Sequence, residues 1–322
     1  MTESKEVHSC SLGTLTLESQ VSSDALPPIV GDFDLAFAFP SWDARSTCIA
    51  TCDDLRFRKA IEVAYANKGS VGGFEGNRST VRSYLEQKSG LVETVAASPA
   101  NLRTTCEAIR EVIKKTANEK KAGLRVLIDL STASRIYALS TVAFGIRSGL
   151  VRELEFIYAE GKYQRATKTQ SEKELFSGGR WESIAIPGLE GDFEGGKPFG
   201  FLVSIGFEGA KTFRAVNRAE PSRVSVLFPK PGFSPDYSQK TAEANKQLYE
   251  AYSVGSDDEI SAPAGDVVAT LNALAEYSFE SPADENCVYL CCGTKPQSLA
   301  LCLRALYLKH PTVLYLGLFT RA

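Results

Sequence analysis

Apolar runs of strand length alternate with segments of helical period along most of this chain, and the alternation occurs twice in the same order. In the first pass, Phe33 to Phe39 predicts a strand, Ala44 to Leu55 a helix and Ala60 to Ala66 a second strand. A glycine-rich loop, Lys68 to Asn77, leads to a helix near Ser79 to Lys88 and a short strand near Leu91 to Val95. A helix opened by Pro99, strand Leu124 to Leu130, helix Ser134 to Ser148 and strand Leu154 to Ala159 close the pass. The second pass reads strand Phe199 to Ile205, helix Ala210 to Arg218, strand Arg223 to Phe228, a proline-rich loop and helix Ser238 to Tyr249. It continues with a weak strand near Ala251 to Val254, a helix opened by Pro263, strand Cys287 to Cys292, helix Gln297 to Leu308 and strand Thr312 to Gly317.

Strands alternating with helices predict an α/β fold. The expectation is two tandem Rossmann-like units, residues 31–160 and 199–322, each a mostly parallel sheet with right-handed crossovers and helices on both faces. Residues 1–30 are rich in Ser, Thr and Glu, end in Pro27 and Pro28, and read as a flexible leader. Residues 161–198 hold Trp181, Ile184 and Ile186 among several glycines and read as an inserted arm or linker, with a hairpin as its ordered form. No segment follows the last strand to cover its edge, so that edge is expected to be bare and open to a partner.

Short motifs point the same way. The strand ending Ile205, Gly206, Phe207, Glu208 with Thr212 after it restates Pro40, Ser41, Trp42, Asp43 with Thr47. Likewise Cys292, Gly293, Thr294, Lys295 restates Leu130, Ser131, Thr132, Ala133. The offsets are 165 residues for Thr47 and Thr212 and 162 for Thr132 and Thr294, which predicts an internal duplication of whole units.

Composition narrows the class. The 322 residues are 43% hydrophobic and 23% charged with a net charge of −3, as in an ordinary globular protein of two domains. No apolar run approaches the roughly 20 residues that span a bilayer, and Met1 to Leu26 is too polar for a signal peptide, so no membrane partner and a cytoplasmic location are expected. The acidic balance argues against duplex DNA as a partner. Eight cysteines without a secretory signal read as reduced thiols.

In an open doubly wound sheet, ligands bind beyond the carboxyl ends of the first and fourth strands, where strand order reverses. The repeated motifs follow those strands. The candidate ligand-binding set is Ser41, Trp42, Asp43, Arg45, Ser46 and Thr47 with Asp129, Ser131, Thr132, Ser134 and Arg135 in the first unit. In the second it is Gly206, Phe207, Glu208, Lys211 and Thr212 with Gly293, Thr294, Lys295, Gln297 and Ser298. Small residues admit a phosphate to backbone N–H groups at a helix start, hydroxyls donate, and Lys or Arg neutralises. Trp42 and Phe207 can stack on a base, while Asp43 and Glu208 can accept from ribose or base donors. The competing reading is that the Ser and Thr residues are helix caps and the aromatics fill the end of the sheet.

The segment Cys292, Gly293, Thr294, Lys295 before an Ala- and Leu-rich helix resembles the Gly-Thr-Lys element after the fourth strand of CRISPR-associated Rossmann fold (CARF) domains, and Ser131 to Arg135 resembles a diverged copy. Ser131 stands for Gly293 and Ala133 for Lys295, so the resemblance implies an asymmetric pocket. It implies binding of a cyclic oligonucleotide or related nucleotide second messenger across two fused units, a sensor role in antiviral defence, no cofactor, and a protein partner or effector as output.

Other chemistry is thin. Arg304 and His310 have the look of an Arg-x-His nuclease pair but sit on a Rossmann helix and its end. Cys48 with Cys52 and Cys287 with Cys291 and Cys292 lack the histidines of a zinc site, so no metal is expected. No Walker loop or Gly-x-Gly-x-x-Gly fingerprint follows a first strand. Two other functions stay open: a metal-independent phosphodiesterase using the same loops, and a non-catalytic structural subunit.

Overall fold

The structure, a computed structural model, describes residues 7–22, 29–65, 73–97, 101–161, 180–277 and 285–319. The Pro99 helix start, half of the 68–77 loop and much of the 161–198 arm lie outside them. The chain divides into two compact units, Ser22–Gly161 and a second built from Met1–Val21 with Lys162–Ala322.

The leader holds a hairpin. Strands β1 (Val7–Leu12) and β2 (Leu15–Gln20) pair antiparallel from Val7 and Gln20 to Leu12 and Leu15, across a two-residue turn with Gly13 at φ 62°. Alternation was the signal: His8, Cys10, Leu12, Leu15, Leu17 and Ser19 turn inward while their neighbours face solvent. Too few of these residues are strongly apolar for the period to stand out in the sequence.

In the 22–161 unit the elements are β3 (Gly31–Ala38), a 3-10 helix (Ala44–Thr51), β4 (Leu55–Tyr65), α1 (Phe74–Lys88), β5 (Val92–Ala97), α2 (Leu102–Lys120), β6 (Leu124–Asp129), α3 (Arg135–Ser148) and β7 (Val151–Ile157). The strands form one parallel sheet in the order β5-β4-β3-β6-β7. Both faces are covered, which is why the central strands are apolar runs without alternation. Phe33, Phe57 and Tyr84 make an aromatic row through the core, with centroids 6.2 and 6.4 Å apart. The element expected as an α-helix over 44–55 is the 3-10 helix, and β4 begins at Leu55 instead of Ala60.

In the other unit the order is β8 (Arg180–Ala185), β9 (Phe199–Ser204), α4 (Gly209–Ala219), β10 (Arg223–Pro229), α5 (Tyr237–Tyr252), β11 (Glu259–Ala262), α6 (Val267–Glu276), β12 (Asn286–Cys291), α7 (Lys295–Leu308) and β13 (Thr312–Phe319). Its sheet runs β11-β10-β9-β12-β13-β8 and is parallel except for β8. The five parallel strands therefore have the same spatial order, 3-2-1-4-5, in both units. Two expectations are corrected here. The last strand is not bare: β8 pairs antiparallel along β13 from Ala185 opposite Leu314 to Arg180 opposite Phe319, and among the described residues it is the one strand of the arm. The third strand lies at Glu259–Ala262, because Ala251 and Tyr252 complete α5.

One buried charge ties strand to helix. Glu62, in the middle of β4 and 1% exposed, accepts from Arg78 Nε at 2.6 Å, Arg82 Nη1 at 3.4 Å and Thr94 Oγ1 at 2.9 Å. Burial pushes its pKa up, but the bonds from Arg78 and Thr94 outweigh that and hold it below the usual value. We predict that Glu62→Gln costs about 1–2 kcal/mol at neutral pH, since bonds to a charged acceptor become bonds to a neutral one. The wild-type contribution is complete above the unfolded-state pKa of about 4.3 and is lost as pH falls through the lower folded value. Urea unfolding at pH 7 and pH 3.5 should therefore show the gap between the two proteins closing in acid; a gap of constant size would refute the assignment.

Candidate functional site

In the 22–161 unit the strand order reverses between β3 and β6, and the loops that leave their carboxyl ends are tied together: Thr132 Oγ1 donates to Phe39 O at 2.6 Å. Within the first loop, Asp43 does two jobs. It caps the 3-10 helix by accepting from Arg45 N–H at 3.0 Å, and its carboxylate takes the Arg45 guanidinium through Nε at 3.0 Å and Nη2 at 2.6 Å. Arg45 Nη1 also reaches Ala159 O at 3.5 Å. Ser46 faces inward, donating to Asp43 O at 2.8 Å, and Ser41 Oγ accepts from Asp43 N–H at 3.0 Å. Thr47 donates to Ala44 O on the exposed side. Trp42 stands out at 61% exposure while its carbonyl and that of Ser41 accept from Asn77 on α1, at 3.2 and 3.0 Å.

Across the crevice, Asp129 and Ser131 are buried and serve the frame. Asp129 Oδ1 accepts from Ser131 N–H at 2.8 Å, and Ser131 Oγ accepts from Ala159 N–H at 2.9 Å. Cys48 Sγ sits 3.0 Å from Ser131 Oγ and 3.6 Å from Asp129 Oδ2; burial, then the Asp129 charge, pushes its pKa far up, so the thiol is neutral. Helix α3 starts differently. Ser134 is its N-cap residue by position, yet its side chain caps nothing, and its own N–H donates to Tyr65 Oη at 2.8 Å. Arg135 follows, half-buried, at the first helical position. Tyr158, just past β7, feels both guanidiniums: burial pushes its pKa up, while Arg45 and Arg135 pull the other way. Burial likewise raises Glu160, with Arg45 opposing. Tyr65, Asn77, Tyr158 and Glu160 were not among the sequence candidates. Their signal was positional, since Tyr65 ends β4 and Tyr158 follows β7.

In the other unit most candidate side chains of the corresponding loops bond or pack within the fold, although α4, like α3, begins without a side-chain cap. Lys211 pairs with Glu208 and lies 4.0 Å over the Trp181 ring. Phe207 packs against Tyr237 with tilted rings, centroids 4.4 Å apart, and Tyr237 in turn meets Phe233 edge-on at 5.4 Å. Thr212 is buried and donates to Glu208 O. Thr294 caps α7, accepting from Gln297 N–H at 3.3 Å and donating to Ala264 O at 2.6 Å, and Ser298 donates to Thr294 O at 2.8 Å. A Cβ on Gly293 would come within 2.9 Å of Ile205 O, and one on Gly206 within 3.2 Å of Cys292 O, so the two backbones close on each other. Gln297 is fully buried, donating to Ala262 O at 3.2 Å, and Lys295 opens α7 half-buried.

Among the described residues, no three His, Cys, Asp or Glu side chains converge to hold a metal ion, and no helix is long and apolar enough to cross a membrane. Burial pushes the thiol of the half-buried Cys287 up to about 12. His310 lies on the surface, 3.3 Å from Asp192. The residues thus define an α/β protein with polar side chains gathered at a Rossmann-like switch point. No protein-family model matches the chain, and no curated protein matches it.

Proposed function

We propose that this protein is a nucleotide sensor and that the ligand sits in the crevice of the 22–161 unit. The observation that carries the reading is the start of α3: at the strand-order reversal, a fourteen-residue helix begins without a side-chain cap, beside Arg135, while α7 is sealed by Thr294. A helix start without a side-chain cap, at the positive end of the helix dipole, favours a phosphate. Ser134 Oγ adds a donor, Arg135 the charge, and the exposed Trp42 ring a face for a base. Tyr65 and the Asp43–Arg45 pair hold the walls in place. The CARF resemblance supplies the ligand class, a cyclic or linear oligonucleotide signal, and output passes to a protein partner through shifted conformer populations.

The test is thermal unfolding of wild type with a panel of cyclic oligonucleotides, linear oligonucleotides and mononucleotides. A ligand at 100 times its Kd stabilises by about 2.7 kcal/mol. We expect Arg135→Ala and Trp42→Ala each to weaken binding about tenfold, a loss of about 1.4 kcal/mol, with Lys295→Ala close to wild type. No stabilisation by any nucleotide, or loss on Lys295→Ala with Arg135→Ala unaffected, would overturn the reading.

A further inference from the structure

The opposite end of the same sheet carries a cavity of about 410 Å³, bordered by the amino-terminal ends of β3, β4, β6 and β7. Its cations are Arg56, Arg58, Lys120, Arg125 and Arg152, against the carboxylates of Asp32 and Asp34. Part of this charge has a structural explanation. Lys120 lies in the last turn of α2, where a cation complements the helix dipole, and it bonds Asp34 at 2.6 Å. Arg125 is held by Glu155 and by Glu153 at 3.0 Å, with its guanidinium 4.3 Å over the Phe33 ring.

The remaining three guanidiniums are not explained that way. Arg56, Arg58 and Arg152 lie on strands, not at helix ends. The nearest carboxylate oxygens to Arg58 and Arg152 are at 3.7 and 3.8 Å, in exposed pairs that contribute little. Among the described residues no carboxylate lies within ion-pair distance of the exposed Arg56, although Asp32 stands opposite it in the β3–β4 register. Three planar forks around one concavity form an arrangement suited to phosphate oxygens, and the volume falls within the range of small-molecule sites.

We propose that this cavity is a second anion site, taking a compact oligophosphate such as the di- or triphosphate group of a small molecule. It is independent of the crevice. The experiment is calorimetric titration of inorganic triphosphate into the full chain carrying Arg135→Ala, so that any contribution of the crevice is weakened. Binding is expected, weakened at least tenfold by adding Arg56→Ala/Arg152→Ala. Arg103→Ala/Lys114→Ala, which removes the same charge from the exposed face of α2, should leave it unchanged. Absence of binding to the Arg135→Ala chain, no effect of the cavity pair, or equal weakening by the control pair would each overturn the proposal.

Discussion

Gly209→Ala is expected to destabilise the unit built on β9 and β12 by about 3 kcal/mol, the upper end of what overpacking costs. Gly209 is the first residue of α4, and a Cβ there would lie 1.8 Å from the carbonyl oxygen of Ala244 and 2.4 Å from its carbon. Both atoms belong to the backbone of α5, so no rotamer change relieves the clash; one helix has to move. Moving α5 shifts Asn245, whose Nδ2 donates to Gly206 O at 2.7 Å and anchors the loop after β9. Alanine's higher helix propensity works in the other direction, by up to about 1 kcal/mol, and is outweighed. A matched control exposes the sign. Gly76 lies inside α1 with nothing within 4 Å of where its Cβ would be, so Gly76→Ala should stabilise the other unit by about 0.5–1 kcal/mol. Thermal and urea unfolding of both variants checks this. A Gly209→Ala protein as stable as wild type would mean that α4 and α5 do not pack at this distance.

Asp266→Ala is expected to cost about 3 kcal/mol and to release the β1–β2 hairpin. Asp266 is almost completely buried and caps α6, accepting from Ala269 N–H at 2.9 Å; a lost cap of this kind costs about 1 kcal/mol. The same carboxylate accepts from Ser19 Oγ at 2.5 Å and is bonded to His8 Nδ1, and bonds to a charged acceptor are worth about 1.5–3 kcal/mol when buried. His8 is partly exposed, which places the total near the lower sum. Burial pushes the Asp266 pKa up, but the bonds from Ser19, Ala269 and His8 more than compensate and hold it below the usual carboxylate value. Its contribution is therefore full above the unfolded-state value of about 3.9 and is lost as pH falls through the folded one. Amide hydrogen exchange should show Val7–Gln20 losing protection in Asp266→Ala at neutral pH. The wild type should lose the same protection only in strong acid. Unchanged protection of the hairpin in the variant would show that apolar contacts, not Asp266, hold it.

Much of the architecture was readable from the chain alone. Central strands such as Phe33–Ala38 and Phe199–Ser204 are apolar on both faces because helices cover both, and such runs announce themselves without any partner. Helices α2 and α4 carry their own amphipathic period, whereas α3 and α7 are apolar nearly all round and stand out by length and by their position between strands; the position of the switch point follows from strand order. The elements that escaped are those whose stability is borrowed. The hairpin, β8 and β11 are short and only half apolar; each exists because a neighbour supplies the missing face or ladder, as β13 does for β8 and α6 for the hairpin.

The chemistry of the site divides along the same line. That hydroxyls, cations and aromatics gather after the first and fourth strands of each unit is a property of the sequence, because local order places each motif at a strand end. Which of them the fold consumes is not. Thr294 and Ser134 are each the N-cap residue of the helix after the fourth strand, yet one side chain caps and the other does not. Lys211 reads as a phosphate ligand until Trp181, thirty positions upstream in β8, covers it. His8 and Asp266 are 258 positions apart and meet at one helix end. Periodicity and capping act over a few residues and are written locally, whereas desolvation and ion pairing depend on which distant side chain arrives, and that only tertiary packing decides.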